Sequence, residues 1–269
     1  MKIAFIGGGN MAGALIGGLI GAGAAPSDID VVEIHADARA RLHHKFGIRA
    51  HSEPGAALGD CAACVLAVKP QHLRDALAGA RPFLREPLVV SIAAGIRASD
   101  IARWLGSDRI VRCMPNTPAL IGEGITAMAA LGGVSAADRA LAQELLGAVG
   151  KVLWVEDESL LDPVTAVSGS GPAYVFYFLE AMVRAGRQMG LDDAQGRELA
   201  VQTFLGAARL AASSDQSLEQ LRANVTSKGG TTAAAIDAME AAGVGESIVE
   251  ALHAAEARAR EMADEFGKA

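Results

Sequence analysis

The chain has 269 residues, is 51% hydrophobic and only 4% aromatic, and carries 31 acidic against 24 basic side chains, for a net charge of −7. That length and apolar content can bury one large core or two modest ones, and the acidic balance, with no basic cluster, argues against nucleic acid or an anionic membrane and for a small-molecule partner. Three cysteines offer no disulfide framework, so a cytoplasmic location is expected.

The first segment predicts a strand over Lys2 to Ile6 and a helix over Asn10 to Ala22. Between them Gly7, Gly9 and Ala12 fit G-x-G-x-x-G/A, in which the first glycine permits a tight turn, the second admits a pyrophosphate and the third small residue packs helix on strand. Asn10 and Met11 open a helix whose unpaired amides and dipole favour an anion. Ile3 to Ser27 carries no charge and could span a bilayer at about 20 residues, but its eight glycines argue against that. A secretory signal ending near Ala22, Gly23 and Ala24 is also disfavoured, because cleavage would remove the first strand and helix.

The run DVVEI from Asp30 predicts the second strand, with Asp37 as the N-cap of a helix that ends at Gly47. A carboxylate at the end of this strand would hold ribose hydroxyls; Glu33 is read as lying inside the strand and Asp37 as occupied by capping. Arg39 and His35 are then available to a 2′-phosphate, which favours NADPH, with NADH as the alternative.

Further strands are predicted at Ile48 to Ala50, at Cys64 to Val68, an apolar run buried on both faces, and at Leu88 to Ile92, which ends in Ala93, Ala94 and Gly95. Ligands lie beyond the carboxyl ends of parallel strands, which places Val68, Lys69, Pro70 and Ala94 on the cofactor side. Pro70 starts a helix running to about Leu84. Cys61 and Cys64 form C-x-x-C, yet no second pair accompanies them and Cys64 opens an apolar run, so both are read as core residues rather than redox or metal groups. His43 and His44 are read as solvated, and no metal is expected.

Ile110 to Met114 predicts a strand that delivers Pro115, Asn116, Thr117 and Pro118 into a rigid loop. Strands at Gly124 to Ala130 and Val152 to Val155 flank a helix over Ala136 to Val149. Alternation of strand and helix ends near Asp157, which sets the expected boundary: an α/β dinucleotide-binding domain over 1–158 and an all-helical domain over 159–269. Tyr174 to Met189, Ala194 to Ala212 and Glu246 to Phe266 are alanine-rich helical stretches with apolar residues on more than one face, which predicts a partner subunit. VSGSGPAY, from Val167 to Tyr174, lacks the G-x-S-x-G of a serine-hydrolase elbow. NVTSKGGTTAAAIDAME, from Asn224 to Glu240, is a second helix start, where Ser227, Gly229, Gly230 and Thr231 could present donors to a carboxylate and Thr232 a hydroxyl to a neighbouring atom; an ordinary capped helix is the competing reading.

LRANVTSKGGTTAAAIDAME closely resembles the signature of pyrroline-5-carboxylate reductases, and FIGGGNMAGALIGGL, AVKPQ, SIAAGI, RCMPNTPA and SGSGPAY match that family's other segments in order. The resemblance covers essentially the whole chain. It implies an N-terminal Rossmann-type parallel-sheet domain, a C-terminal helical dimerisation domain and a substrate site completed between subunits of a homodimer, often within a decamer. It implies cofactor contacts on Ile6 to Ala12, on His35 and Ala36, which depart from the residues many relatives hold there, on Val68, Lys69, Pro70 and Ala94, and on Asn116. It implies a substrate loop over Ser227 to Thr232, where Lys228 replaces a common proline. The implied reaction is reduction of the C=N bond of 1-pyrroline-5-carboxylate to L-proline by NAD(P)H, with Thr232 the candidate donor to the ring nitrogen. Two other readings compete. A β-hydroxyacid dehydrogenase would favour a lysine in Tyr174 to Met189, which has none, and a non-catalytic dinucleotide sensor is disfavoured by the substrate-loop match.

Overall fold

The computed structural model describes residues 1–267. Strand and helix alternate through β1 (Ile3–Ile6), α1 (Asn10–Gly21), β2 (Ile29–Val32), α2 (Ala36–Phe46), β3 (Arg49–His51), β4 (Ala63–Leu66), α3 (Pro70–Ala80), β5 (Leu88–Ser91), α4 (Ala98–Leu105) and β6 (Ile110–Met114). Then come β7 (Gly124–Ala130), α5 (Ala136–Gly147), β8 (Gly150–Trp154) and a short α6 (Leu161–Val164). The remainder is helical: α7 (Gly171–Gln188), α8 (Asp193–Ala212), α9 (Leu218–Asn224), α10 (Thr231–Ala241) and α11 (Val244–Gly267).

The eight strands form one sheet in the order β3-β2-β1-β4-β5-β6-β7-β8. Chain order reverses at β1, which pairs in parallel with both β2 and β4, and this creates the crevice where open α/β sheets bind ligands. The sheet is not wholly parallel, as the sequence reading had it. β7 runs antiparallel to β6, because a single 3-10 turn over Thr117–Ile121 joins them and no crossover helix intervenes.

Alternation along β1 sends Ile3 and Phe5 into one hydrophobic layer and Ala4 and Ile6 into the other. The first layer is closed by Ala12, Leu15, Ile16 and Leu19 of α1, Leu42 of α2 and Leu145 of α5; the second by Leu73 and Leu77 of α3 and Ile101 of α4. β1, β2, β4 and β5 are buried throughout, as strands covered on both faces must be. Cys61 and Cys64 belong to the second layer, and burial pushes the Cys61 thiol up to about 11 and that of Cys64 well above its ordinary value. Neither is a thiolate nucleophile near neutral pH.

Three sequence expectations are corrected in detail. β2 stops at Val32, so Glu33 lies beyond the strand rather than inside it. Asp37 is in the first turn of α2, and the N-cap is His35, without a side-chain cap. Helices α4 and α9 were not anticipated; α4 is a short amphipathic turn pair that buries Ala98 and Ile101, too brief to give a sustained period.

By packing, the chain forms two compact units, residues 1–170 with 253–269 and residues 171–252, whereas the end of strand and helix alternation suggested a division at 158. In the first unit the C-terminal part of α11 returns to the α4 end of the sheet: Met262 and Phe266 approach Gly95, and Arg97 pairs with Asp264 at 2.5 Å. In the second, α7 and α8 pack as an antiparallel pair about Phe178 and Phe204, whose ring centroids are 5.8 Å apart. Val175, Phe176, Tyr177, Leu199, Leu205 and Leu210 remain exposed there. Among the described residues no helix is long and apolar enough to cross a membrane, and the final two positions of the 159–269 assignment lie outside them.

Candidate active site

The first glycine loop is shaped by the two strands beside it. Gly7, at φ +98°, donates its N–H to the Val32 carbonyl at 2.8 Å, and a Cβ there would lie 2.7 Å from the Ala67 carbonyl oxygen. Only glycine meets both demands. Gly9 is the N-cap of α1, gives it no side-chain cap, and has no atom within 4 Å of a hypothetical Cβ. The helix therefore starts with unpaired amides facing open space, the arrangement that receives a phosphate. Ala12 is fully buried in the layer beneath, which is what close packing of α1 on β1 requires.

A cavity of about 610 Å³ opens where the ends of β1, β2 and β4 diverge. Ile6, Gly7, Gly9, His35, Val68 and Lys69, all anticipated from sequence, line it. Glu33, which the sequence reading placed inside the strand and away from the cofactor, lines it too, as do Ile34, Pro54, His72, Asp75 and Ala76, which no sequence motif marks. The walls are mainly apolar, suited to a planar base and ribose, with the glycine amides at one end. The residues present thus fit a dinucleotide. Asn10 faces instead a second cleft, of about 420 Å³, bordered by Gly13, Gly17, Arg41 and Lys45. Met11 packs against the core, Ala36 is exposed as the first residue of α2, and Pro70 sits in the first turn of α3.

The loop after β2 is organised around Glu33. One carboxylate oxygen accepts the Gly8 N–H at 2.8 Å and the other the His35 N–H at 2.8 Å. Arg39, which the sequence reading made available to a 2′-phosphate, spends its Nη1 on the carbonyls of Glu33 and Ile34, each at 2.8 Å. The strand-end position and the glycine loop are thus joined through the Glu33 side chain.

Beyond β5 and β6 the loops carrying Ala94 and Asn116 share a polar support. The Glu158 carboxylate accepts from Arg112 Nη1 at 2.9 Å and from the Ala98 N–H at 2.7 Å. Asn116 accepts the Ile125 N–H on Oδ1 at 3.0 Å, which fixes the start of β7. Asp162 lies 3.7 Å from Arg112, its buried Oδ1 without a hydrogen bond, and burial raises its pKa.

In the second unit, Ser227 to Thr232 form a turn in which Gly229 has φ +74° and Gly230 donates its N–H to the Ser227 carbonyl at 3.0 Å. A Cβ on Gly230 would lie 2.6 Å from Ser227 Oγ. Gly230, not a threonine, is the N-cap of α10, and no side chain caps the helix. Ser227 and Thr231 are exposed and Thr232 is half-buried. Among the described residues no group of His, Cys, Asp and Glu is placed to hold a metal ion.

A glycine-turn cradle at the switch point of a doubly wound sheet defines the class: a dinucleotide-binding Rossmann protein with a helical second half. Residues 158–262 match the family model for pyrroline-5-carboxylate reductase dimerisation, and residues 2–95 that for NADP oxidoreductases, coenzyme F420-dependent. The chain is 45% identical to a pyrroline-5-carboxylate reductase of Pseudomonas aeruginosa, over 99% of this chain and 98% of that one. The solved pyrroline-5-carboxylate reductase of Coxiella burnetii is 39% identical, with a TM-score of 0.91 over 97% of this chain and 98% of that one. That of Plasmodium falciparum, solved with NADP bound, is 29% identical with a TM-score of 0.88, covering 98% of each chain. The chain belongs to the pyrroline-5-carboxylate reductase family.

Proposed function

We propose that the protein reduces 1-pyrroline-5-carboxylate to L-proline with NAD(P)H, the last step of proline synthesis, in the cytoplasm. The observation that carries this reading is a pair of glycine loops, at Gly7 to Gly9 and at Gly229 to Gly230, each opening a helix whose first amides no side chain caps. One suits a pyrophosphate and the other a carboxylate.

Residues 1–158 act as the dinucleotide domain and 159–269 as the dimerisation and substrate domain. A nicotinamide cofactor, when bound, supplies the hydride. Ile6, Gly7, Gly9, Asn10, Met11 and Ala12 form its phosphate loop, His35 and Ala36 flank its adenosine end, and Val68, Lys69, Pro70, Ala94 and Asn116 serve the nicotinamide side. Ser227, Gly229, Gly230 and Thr231 bind the substrate carboxylate through backbone and hydroxyl donors. Thr232 hydrogen-bonds the ring nitrogen as it becomes an amine. A protonated imine is already electrophilic, so the residues chiefly hold and orient the ring. Exposed apolar side chains on α7, α8 and α11, among them Phe176, Tyr177, Leu199 and Ile248, support a homodimer, assembled further into a decamer.

The test is oxidation of NADH or NADPH by purified protein with and without pyrroline-5-carboxylate. Substrate-dependent oxidation with proline as product is expected, and no turnover with either cofactor would refute the proposal.

A further inference from the structure

In dinucleotide-binding folds the choice between NADH and NADPH is made about 20 residues beyond the glycine loop, where an acidic side chain holds the ribose 2′-hydroxyl or a nearby arginine receives a 2′-phosphate. Glu33 follows the last residue of β2 and lines the same cavity as Gly7, Gly9 and Lys69. Its two oxygens are held in place by the amides of Gly8 and His35, at 2.8 Å each. A carboxylate offers about four acceptor positions, so two backbone bonds fix its orientation and leave capacity for hydroxyl donors.

The same arrangement occupies two donors that a 2′-phosphate could use, the His35 N–H and Arg39 Nη1. The His35 N–H, a backbone donor of the turn into α2, is taken by Glu33. Arg39 is bonded to the carbonyls of Glu33 and Ile34 and is not among the residues lining the cavity. Ile34, at the tip of the turn, is 75% exposed and apolar. What remains near the tip is the His35 side chain, which lines the cavity. Lys69 sits across the cavity at the start of α3.

Resting on the reading of this cavity as the dinucleotide site, we propose that Glu33 is the cofactor-specificity residue, accepting the adenosine ribose hydroxyls and opposing a 2′-phosphate, so that the protein favours NADH. The glycine loop and the specificity residue are then one hydrogen-bonded unit, through Gly8.

The experiment is titration calorimetry of the full chain with NADH, NADPH, 5′-AMP and 2′,5′-ADP, without pyrroline, for the wild type, Glu33→Gln, Glu33→Ser and Arg39→Ala. The wild type should bind NADH and 5′-AMP more tightly than their 2′-phosphorylated counterparts. Glu33→Gln should shift the ratio toward NADPH by about 10-fold, a value between the bulk-water and interface limits for unit charges a few ångströms apart. Glu33→Ser should shift it in the same direction. A wild type that prefers NADPH, or an Arg39→Ala that loses only the 2′-phosphorylated ligands, would overturn the assignment. So would equal weakening of both cofactors by Glu33→Gln, which would make Glu33 only a prop for the loop. If the Glu33 variants do not fold, the wild-type preference and Arg39→Ala still decide. Failure to bind any of the four ligands would reject the cavity as a dinucleotide site and this proposal with it, whereas binding with NADPH preferred rejects this proposal alone.

Discussion

The Glu158 carboxylate binds the Arg112 guanidinium at 2.9 Å and the Ala98 amide at 2.7 Å, joining β6 to the start of α4. Arg112 is 6% exposed, so its guanidinium is met by this carboxylate more than by water. Ala94 precedes α4 and Asn116 follows β6, so one carboxylate holds both loops. Glu158→Gln should cost about 2 kcal/mol, the scale of an impaired hydrogen bond to a buried charged group. Urea unfolding beside the exposed-site control Glu144→Gln checks this, and equal midpoints for the two variants would show that Glu158 carries no such load.

Replacement of Gly9 by valine should abolish cofactor binding with little loss of fold. No atom lies within 4 Å of the added Cβ, so the side chain enters open space beside the amides of α1. Gly7→Ala is the contrast, since its Cβ would meet the Ala67 carbonyl at 2.7 Å and the fold itself should suffer. Cofactor titration and thermal melting on both variants separate the two effects.

Thr232→Ala should lower kcat by about 10²-fold, the low end for a positioned proton-transfer group. A capping role would instead cost about 1 kcal/mol of stability, but Gly230 holds the N-cap of α10. The expected result is therefore a kinetic loss with unchanged melting temperature and unchanged cofactor affinity. Wild-type kcat would remove Thr232 from the catalytic role.

Asp138 should contribute acid-sensitive stability. Arg109, at 2.8 Å, and the capping box with Ser135 hold its carboxyl below the usual carboxylate range. Its folded pKa is below its unfolded one, so the contribution is complete above an unfolded value of about 3.9 and disappears as the pH falls through the folded value. Asp138→Asn should therefore melt below the wild type at pH 7 and converge with it near pH 2. A difference independent of pH would point to packing alone.

Local chemistry made much of this protein legible in one dimension. The glycine turn, the buried strands, Pro70 at the start of α3 and the glycine-led start of α10 follow from backbone freedom and apolar period, which act within a few residues. Gly47 ends α2 in the left-handed conformation for the same reason. The run of helices after β8 was equally plain, because alternation of period stops there. Pairing across the chain was not. Whether Glu33 sits inside a strand or turns back on Gly8, and whether Arg39 is available to a ligand, depend on where β2 ends relative to β1. Glu158 and Arg112 are 46 residues apart in the chain and meet only when β6 and the segment after β8 are placed. The antiparallel entry of β7 is likewise set by the short connection from β6 and its pairing there rather than by its own residues. Hydrogen bonds of fixed length between distant residues are decided by tertiary packing, since no periodicity along the chain encodes them.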